Sequence, residues 1–119
     1  MSDQAKINHA RNRRLRRRML RMLYDARGGE YGPTVSGRML ADLFGPQATG
    51  TELCGDDGHV RQLLGDLSSA GLVLTTDERE YQHQDPNCLD YLSFSITDTG
   101  CALIEESAPK HPLVDDQRI

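Results

Sequence analysis

Lys6, Arg11, Arg13, Arg14, Arg16, Arg17, Arg18, Arg21 and Arg27 crowd the first 27 residues against only Asp3 and Asp25, a net +7 that leaves the other 92 residues at −11 in a chain of net charge −4. Guanidinium groups packed this closely suit one chemistry above others, the neutralisation of a polyanion such as a phosphate backbone. Their other use is pairing with acids, as a solvated helix face or against the acidic body of a second copy in a homodimer. Cys54-x4-His59 and His83-x4-Cys88 form a second set, two thiols and two imidazoles of the types that hold tetrahedral zinc. Their spacing matches no recurrent zinc signature, so no metal and no cofactor is expected. Cys101, beside Ala102 and Leu103, reads as a buried apolar residue. Nothing has the layout of a catalytic site: there is no nucleophile elbow, no Gly-rich phosphate loop after a strand, and no carboxylate pair placed for acid and base work. The chain is not expected to be an enzyme.

Hydrophobic periodicity supplies the elements that position these groups. Residues 1–7 lack a period and are expected to form a flexible arm. From about Asn8 to Ala26, Leu15, Met19, Met22, Leu23 and Ala26 fall on one helical face, with Arg14, Arg17, Arg18 and Arg21 on a flank away from it. Gly28-Gly29 ends that helix. Ser36 can cap a short second helix in which Met39, Leu40 and Leu43 face inward, closed by Gly45-Pro46. Residues 45–58, rich in Gly, Thr and Asp, make a long connection. Asp56 or Asp57 then caps a third helix whose apolar face is Val60, Leu63, Leu64, Leu67 and Ala70. Gly71 stops it. Leu72-Val73-Leu74 runs on into a strand, and Leu92, Phe94 and Ile96 alternate on its partner, with Gln84-Asp85-Pro86-Asn87 as the turn between them. Thr97 caps a short last helix carrying Ala102, Leu103 and Ile104, and residues 107–119 read as a tail without a core of its own.

One domain of 119 residues follows, spanning about 8–106, with an aliphatic core because the chain has two Phe and no Trp. Leu15, Met19, Met22, Leu23, Leu40, Leu43, Val60, Leu64, Leu67, Leu72, Phe94 and Ile96 are the expected core. No apolar run reaches membrane-spanning length and no secretory signal precedes the helices, so no membrane contact and a cytoplasmic location are expected. Three cysteines without tight spacing fit a reducing compartment.

The fold class expected is mainly α with a small antiparallel β-hairpin: a three-helix core, a wing and a short C-terminal helix. This order is similar to the winged helix-turn-helix family of bacterial DNA-binding regulators, and the resemblance rests on Val60 to Val73 and on Ile96-Thr97-Asp98-Thr99-Gly100, which looks like the close of that family's wing. The arginine-rich first helix, the Val60-Arg61 pair and the Pro-containing tail also resemble small winged-helix proteins of Mu-like prophages. The resemblance implies double-stranded DNA as partner and transcription regulation as function.

It also implies that the third helix is the reading element. Its apolar face turns Gly58, Gln62, Gly65 and Ser69 furthest outward, with His59 and Arg61 beside them. Gln62 suits a bidentate contact to adenine, Arg61 reaches guanine or phosphate, and Gly65 leaves room for a close backbone approach. Arg14, Arg17, Arg18 and Arg21 are expected to add phosphate contacts without sequence information, and Arg79, with Gln82 and His83, to do so from the wing. Against this stand Asp56, Asp57 and Asp66 on the helix and Asp77, Glu78, Glu80, Asp85 and Asp90 on the wing. An acidic wing of that kind suits a protein partner, so an interaction module built on the same fold is the alternative function.

Overall fold

The computed structural model describes residues 2–28, 34–45, 53–54, 56–77, 89 and 92–114. Along them run α1 (Ser2–Ala26), β1 (Val35–Ser36), α2 (Gly37–Phe44), α3 (Asp57–Ser69), β2 (Val73–Asp77), β3 (Leu92–Ile96) and α4 (Asp98–Ile104). The described residues are therefore mainly helical, with a small antiparallel sheet in the order β1-β3-β2. None of their helices is long and apolar enough to cross a membrane.

α1 begins at Ser2, so the segment expected as a flexible arm continues the helix instead. Neither Gly nor Pro occurs before Gly28, and nothing local interrupts the turn-by-turn hydrogen bonding. At its other end Arg27 folds back, donating from Nη1 to the Tyr24 carbonyl at 2.7 Å and lying 3.7 Å over the Tyr24 ring. The cation thus meets the carbonyl end of the helix dipole.

α3 starts as the sequence demands: Asp56 is the cap, its carboxylate accepting the His59 N–H at 2.8 Å. Gly71 leaves the helix with φ +78°, a conformation that costs a Cβ-bearing residue free energy. β2 and β3 then pair with Val73 opposite Ile96, Thr75 opposite Phe94 and Asp77 opposite Leu92. β1 was not foreseen. Val35 and Ser36 pair with Phe94 and Ser93 on the free edge of β3, which turns the expected hairpin into three strands.

Thr97 joins the sheet to α4. Its hydroxyl accepts the Gly100 N–H at 3.1 Å and donates to the Gly71 carbonyl at 2.7 Å, while its own N–H donates to the Leu72 carbonyl at 3.1 Å. A Cβ on Gly100 would collide with the Leu72 carbonyl oxygen and the Ile96 side chain. The Thr-x-x-Gly spacing is thus a packing requirement here: one residue caps, the other lets the helix approach the start of β2.

Most of the expected core is buried, with Leu20, Leu63, Leu89, Leu92 and Leu103 added to it. Met22 and Ile96 are only partly covered. Met39 and Leu43 are corrections, exposed at 51% and 46%, because α2 turns Gly37, Leu40, Ala41 and Phe44 inward. An eight-residue helix with apolar residues on more than one side leaves the choice of face to its neighbours, and the aromatic Phe44 gains more by burial than Leu43. From the tail, Val114 is buried in the domain core and Leu113 packs partly against it.

Candidate nucleic-acid interface

α3 packs on α1, α2 and β2, and what remains open is the ridge its periodicity predicted. Gly58, Gln62 and Ser69 are exposed, while Gly65 and Arg61 are half-buried. Gly58, Gln62, Gly65 and Ser69 are themselves uncharged. Arg61 lies along the helix, its Nη1 3.4 Å from where a Gly65 Cβ would stand, and its Nε is enclosed without a hydrogen-bond partner among the described residues. A Cβ at Gly65 would meet the guanidinium only at ordinary contact distance, so the glycine leaves its room on the outer side.

His59 does not belong to the outward set. Its Nε2–H donates to Asn12 Oδ1 of α1 at 2.9 Å, a polar bond across the α1–α3 seam. Another is Arg16 Nη2 to Asp66 Oδ2 at 2.9 Å, whose arginine also donates to the Leu113 carbonyl at 3.2 Å. Burial and the nearby guanidinium of Arg11 both lower the His59 pKa, which keeps the ring neutral near pH 7.

These bonds change the account of the acids on α3. Asp66 is bonded to Arg16 on the seam side, whereas Asp56, although it caps the helix, is exposed, with its carboxylate 3.3 Å from where a Gly58 Cβ would stand at the N-terminal end of the ridge. The side chain of Asp57 lies outside the described residues, as do Arg79, Gln82, His83 and the acids Glu78, Glu80, Asp85 and Asp90 of the expected wing.

Arg14, Arg17, Arg18 and Arg21 share the outer side of α1, with Arg14, Arg18 and Arg21 exposed and Arg17 half-buried. At about 100° per residue they sit roughly half a turn from Asn12 and Arg16, the α1 residues that bond α3. The body of α1, about 10 Å across, therefore lies between Arg14, Arg17 and Arg21 and the α3 ridge. Arg18, about two turns from Arg11 on the same face, reaches toward Cys54 ahead of α3. Sequence periodicity could not show this, because it places residues around one helix and says nothing of where the next helix packs. Arg11 was missed for the same reason: it acts on both Cys54 and His59, and so brings positive charge to the start of α3.

The four thiol and imidazole residues are only half described. Cys54 is buried, its thiol pushed up to about 11 by burial and by Asp56, and it packs with Phe44, whose carbonyl accepts its N–H at 2.7 Å. His83 and Cys88 lie outside the described residues. A protonated thiol in apolar packing and an imidazole turned to Asn12 are poor donors for a cation. Cys101, expected to be buried, is half-buried on α4.

Comparison of the chain with family models, with curated proteins and with solved structures finds no match.

Proposed function

We propose that the chain is a winged-helix DNA-binding domain that lays α3 in the major groove of duplex DNA and acts as a transcriptional regulator without a cofactor. The observation that carries this reading is the open face of α3: Gly58, Gln62 and Ser69 exposed and uncharged, with Asp66 held by Arg16 on the seam side. A helix of 13 residues spans about 20 Å, enough to follow the groove over several base pairs. The element order supports it, since a helix of this kind followed directly by a β2–β3 pair is the arrangement in which a winged-helix domain presents its reading helix.

In this reading Gln62 addresses a base edge, Arg61 and Arg11 supply cations near the helix, and Gly58 and Gly65 let the backbone come close. The test is a fluorescence titration of random-sequence duplex at two salt concentrations, followed by selection from a randomised duplex pool. Salt-dependent binding with enrichment of a sequence that Gln62→Ala loses supports the proposal. Absence of association with any duplex at low ionic strength defeats it.

A further inference from the structure

The arginine stripe of α1 is flanked by two grooves with apolar floors. One, of about 650 Å³, lies between α1 and α2, with Met22, Ala26, Leu43 and Phe44 below and Arg18 and Arg21 at its rim. The other, of about 390 Å³, runs between α1 and the buried Ile104 and Val114, under Arg14 and Arg17. Arg18 lies 5.4 Å over the Phe44 ring and Arg21 5.7 Å over Tyr24, so the cations are spread along apolar walls. The acid on this rim, Asp25, is bonded to Arg21 at 3.2 Å. Beside the first groove, Met39 and Leu43 stand four residues apart on α2, both about half exposed.

The chemistry of this face selects among partners. A phosphate backbone would satisfy the cations but has nothing to place over Leu43, Met39 and Met22. A purely apolar partner would cover those but take a row of positive charges out of water without a countercharge of its own. A surface with carboxylates and aliphatic or aromatic side chains on one face satisfies both.

We infer that the outer face of α1 and α2 docks an acidic amphipathic segment of a partner protein, its apolar side chains seated in the α1–α2 groove and its carboxylates on Arg14, Arg17, Arg18 and Arg21. The mode is a helix in a groove, with forked arginine–carboxylate bonds setting orientation. This inference does not rest on the DNA reading. If both hold, the domain carries a protein on α1 and α2 while α3 is occupied, because Arg14, Arg17 and Arg21 lie on the side of α1 opposite Asn12 and Arg16.

The probe is a labelled synthetic peptide of about 15 residues, four helical turns, with Leu and Phe at i, i+3, i+4 and i+7 and Glu elsewhere. Its companions carry Gln for every Glu, or Ser for every Leu and Phe, and random duplex DNA serves as competitor. The expected result is binding to the full chain at least about tenfold tighter for the acidic amphipathic peptide than for either companion. Leu43→Ser and Arg21→Gln, both exposed and expected to melt as the wild type does, should each weaken it about fivefold or more, and duplex should not displace it. The inference is overturned if the Ser companion binds equally well, if no peptide binds, or if duplex displaces the peptide and the Arg14→Gln, Arg17→Gln, Arg21→Gln triple variant loses duplex affinity and salt slope. That last outcome would make the face a nucleic-acid surface.

Discussion

Arg16 of α1 and Asp66 of α3 form an ion pair at 2.9 Å in which the arginine side chain is 12% exposed and the aspartate 34%. The pair fixes the angle between the helix that carries the basic stripe and the helix proposed to read DNA. Removing the arginine leaves a partly enclosed carboxylate and an unmet Leu113 carbonyl. Arg16→Met should therefore cost about 2 kcal/mol of stability, the usual scale for a hydrogen-bonded charged group. Urea denaturation of Arg16→Met, Asp66→Asn and the double variant checks this. A double variant no more stable than the sum of the two single losses would show that the pair is not coupled.

His59 makes stability depend on pH in a definite direction. Its pKa is lowered in the folded chain, by burial first and by Arg11 second, from the ordinary 6.5. The contribution of the neutral ring is fully present above pH 6.5. It declines as the pH falls below that value, since the unfolded chain takes up a proton that the folded chain resists, and levels off below the folded pKa. His59→Gln should flatten that part of the curve. Melting midpoints at intervals between about pH 7.5 and pH 5 measure it.

Thr97 and Gly100 should differ in sensitivity. Thr97→Val keeps the shape but removes the cap and the bond to Gly71, a loss of about 1 to 2 kcal/mol. Gly100→Ala should cost more, because its Cβ meets the Leu72 backbone, which cannot move without disturbing β2. Equilibrium unfolding of both variants gives the order, and a milder Gly100→Ala would refute the close approach.

Gly65 separates folding from binding. A Cβ there meets only the Arg61 guanidinium, at an ordinary 3.4 Å, so Gly65→Ala should raise stability by up to about 1 kcal/mol through helix propensity. Gly65→Leu should remain folded yet lose duplex affinity about tenfold or more if DNA approaches this ridge. Parallel melting and duplex titration check both halves. Unchanged affinity in a folded Gly65→Leu would place the duplex elsewhere.

What the sequence made legible was mostly local. The 3.6-residue period of Val60, Leu64 and Leu67, the cap at Asp56 and the Thr97 to Gly100 turn are each decided within a few residues, and each appears where expected. The face of α2 was not, because Met39, Leu40, Leu43 and Phe44 offer more than one apolar side and only the packing against α3 and β3 chooses. β1 is two residues long, too short for any period, and exists because Phe94 and Ser93 offer an open strand edge. Leu20 escaped notice among arginines since the buried arc of α1 is widened by contact with α4. For the candidate site, Gly58, Gln62, Gly65 and Ser69 could be placed from rotation alone. That His59 turns to Asn12, and that Arg14, Arg17 and Arg21 lie on the far side of α1 from Asn12 and Arg16, depends on where α1 lies.

The bond from Arg16 to the Leu113 carbonyl joins residues 97 positions apart. During synthesis at about 5 to 20 residues per second, α1 thus waits on the order of 5 to 20 seconds for the segment that completes its packing. Through that interval Arg16 lacks its bond to the Leu113 carbonyl, and the groove floor that Val114 supplies beside Arg14 and Arg17 is still to come. A chain stopped before Leu113 and Val114 lacks both the carbonyl that Arg16 bonds and one of the buried side chains of the core.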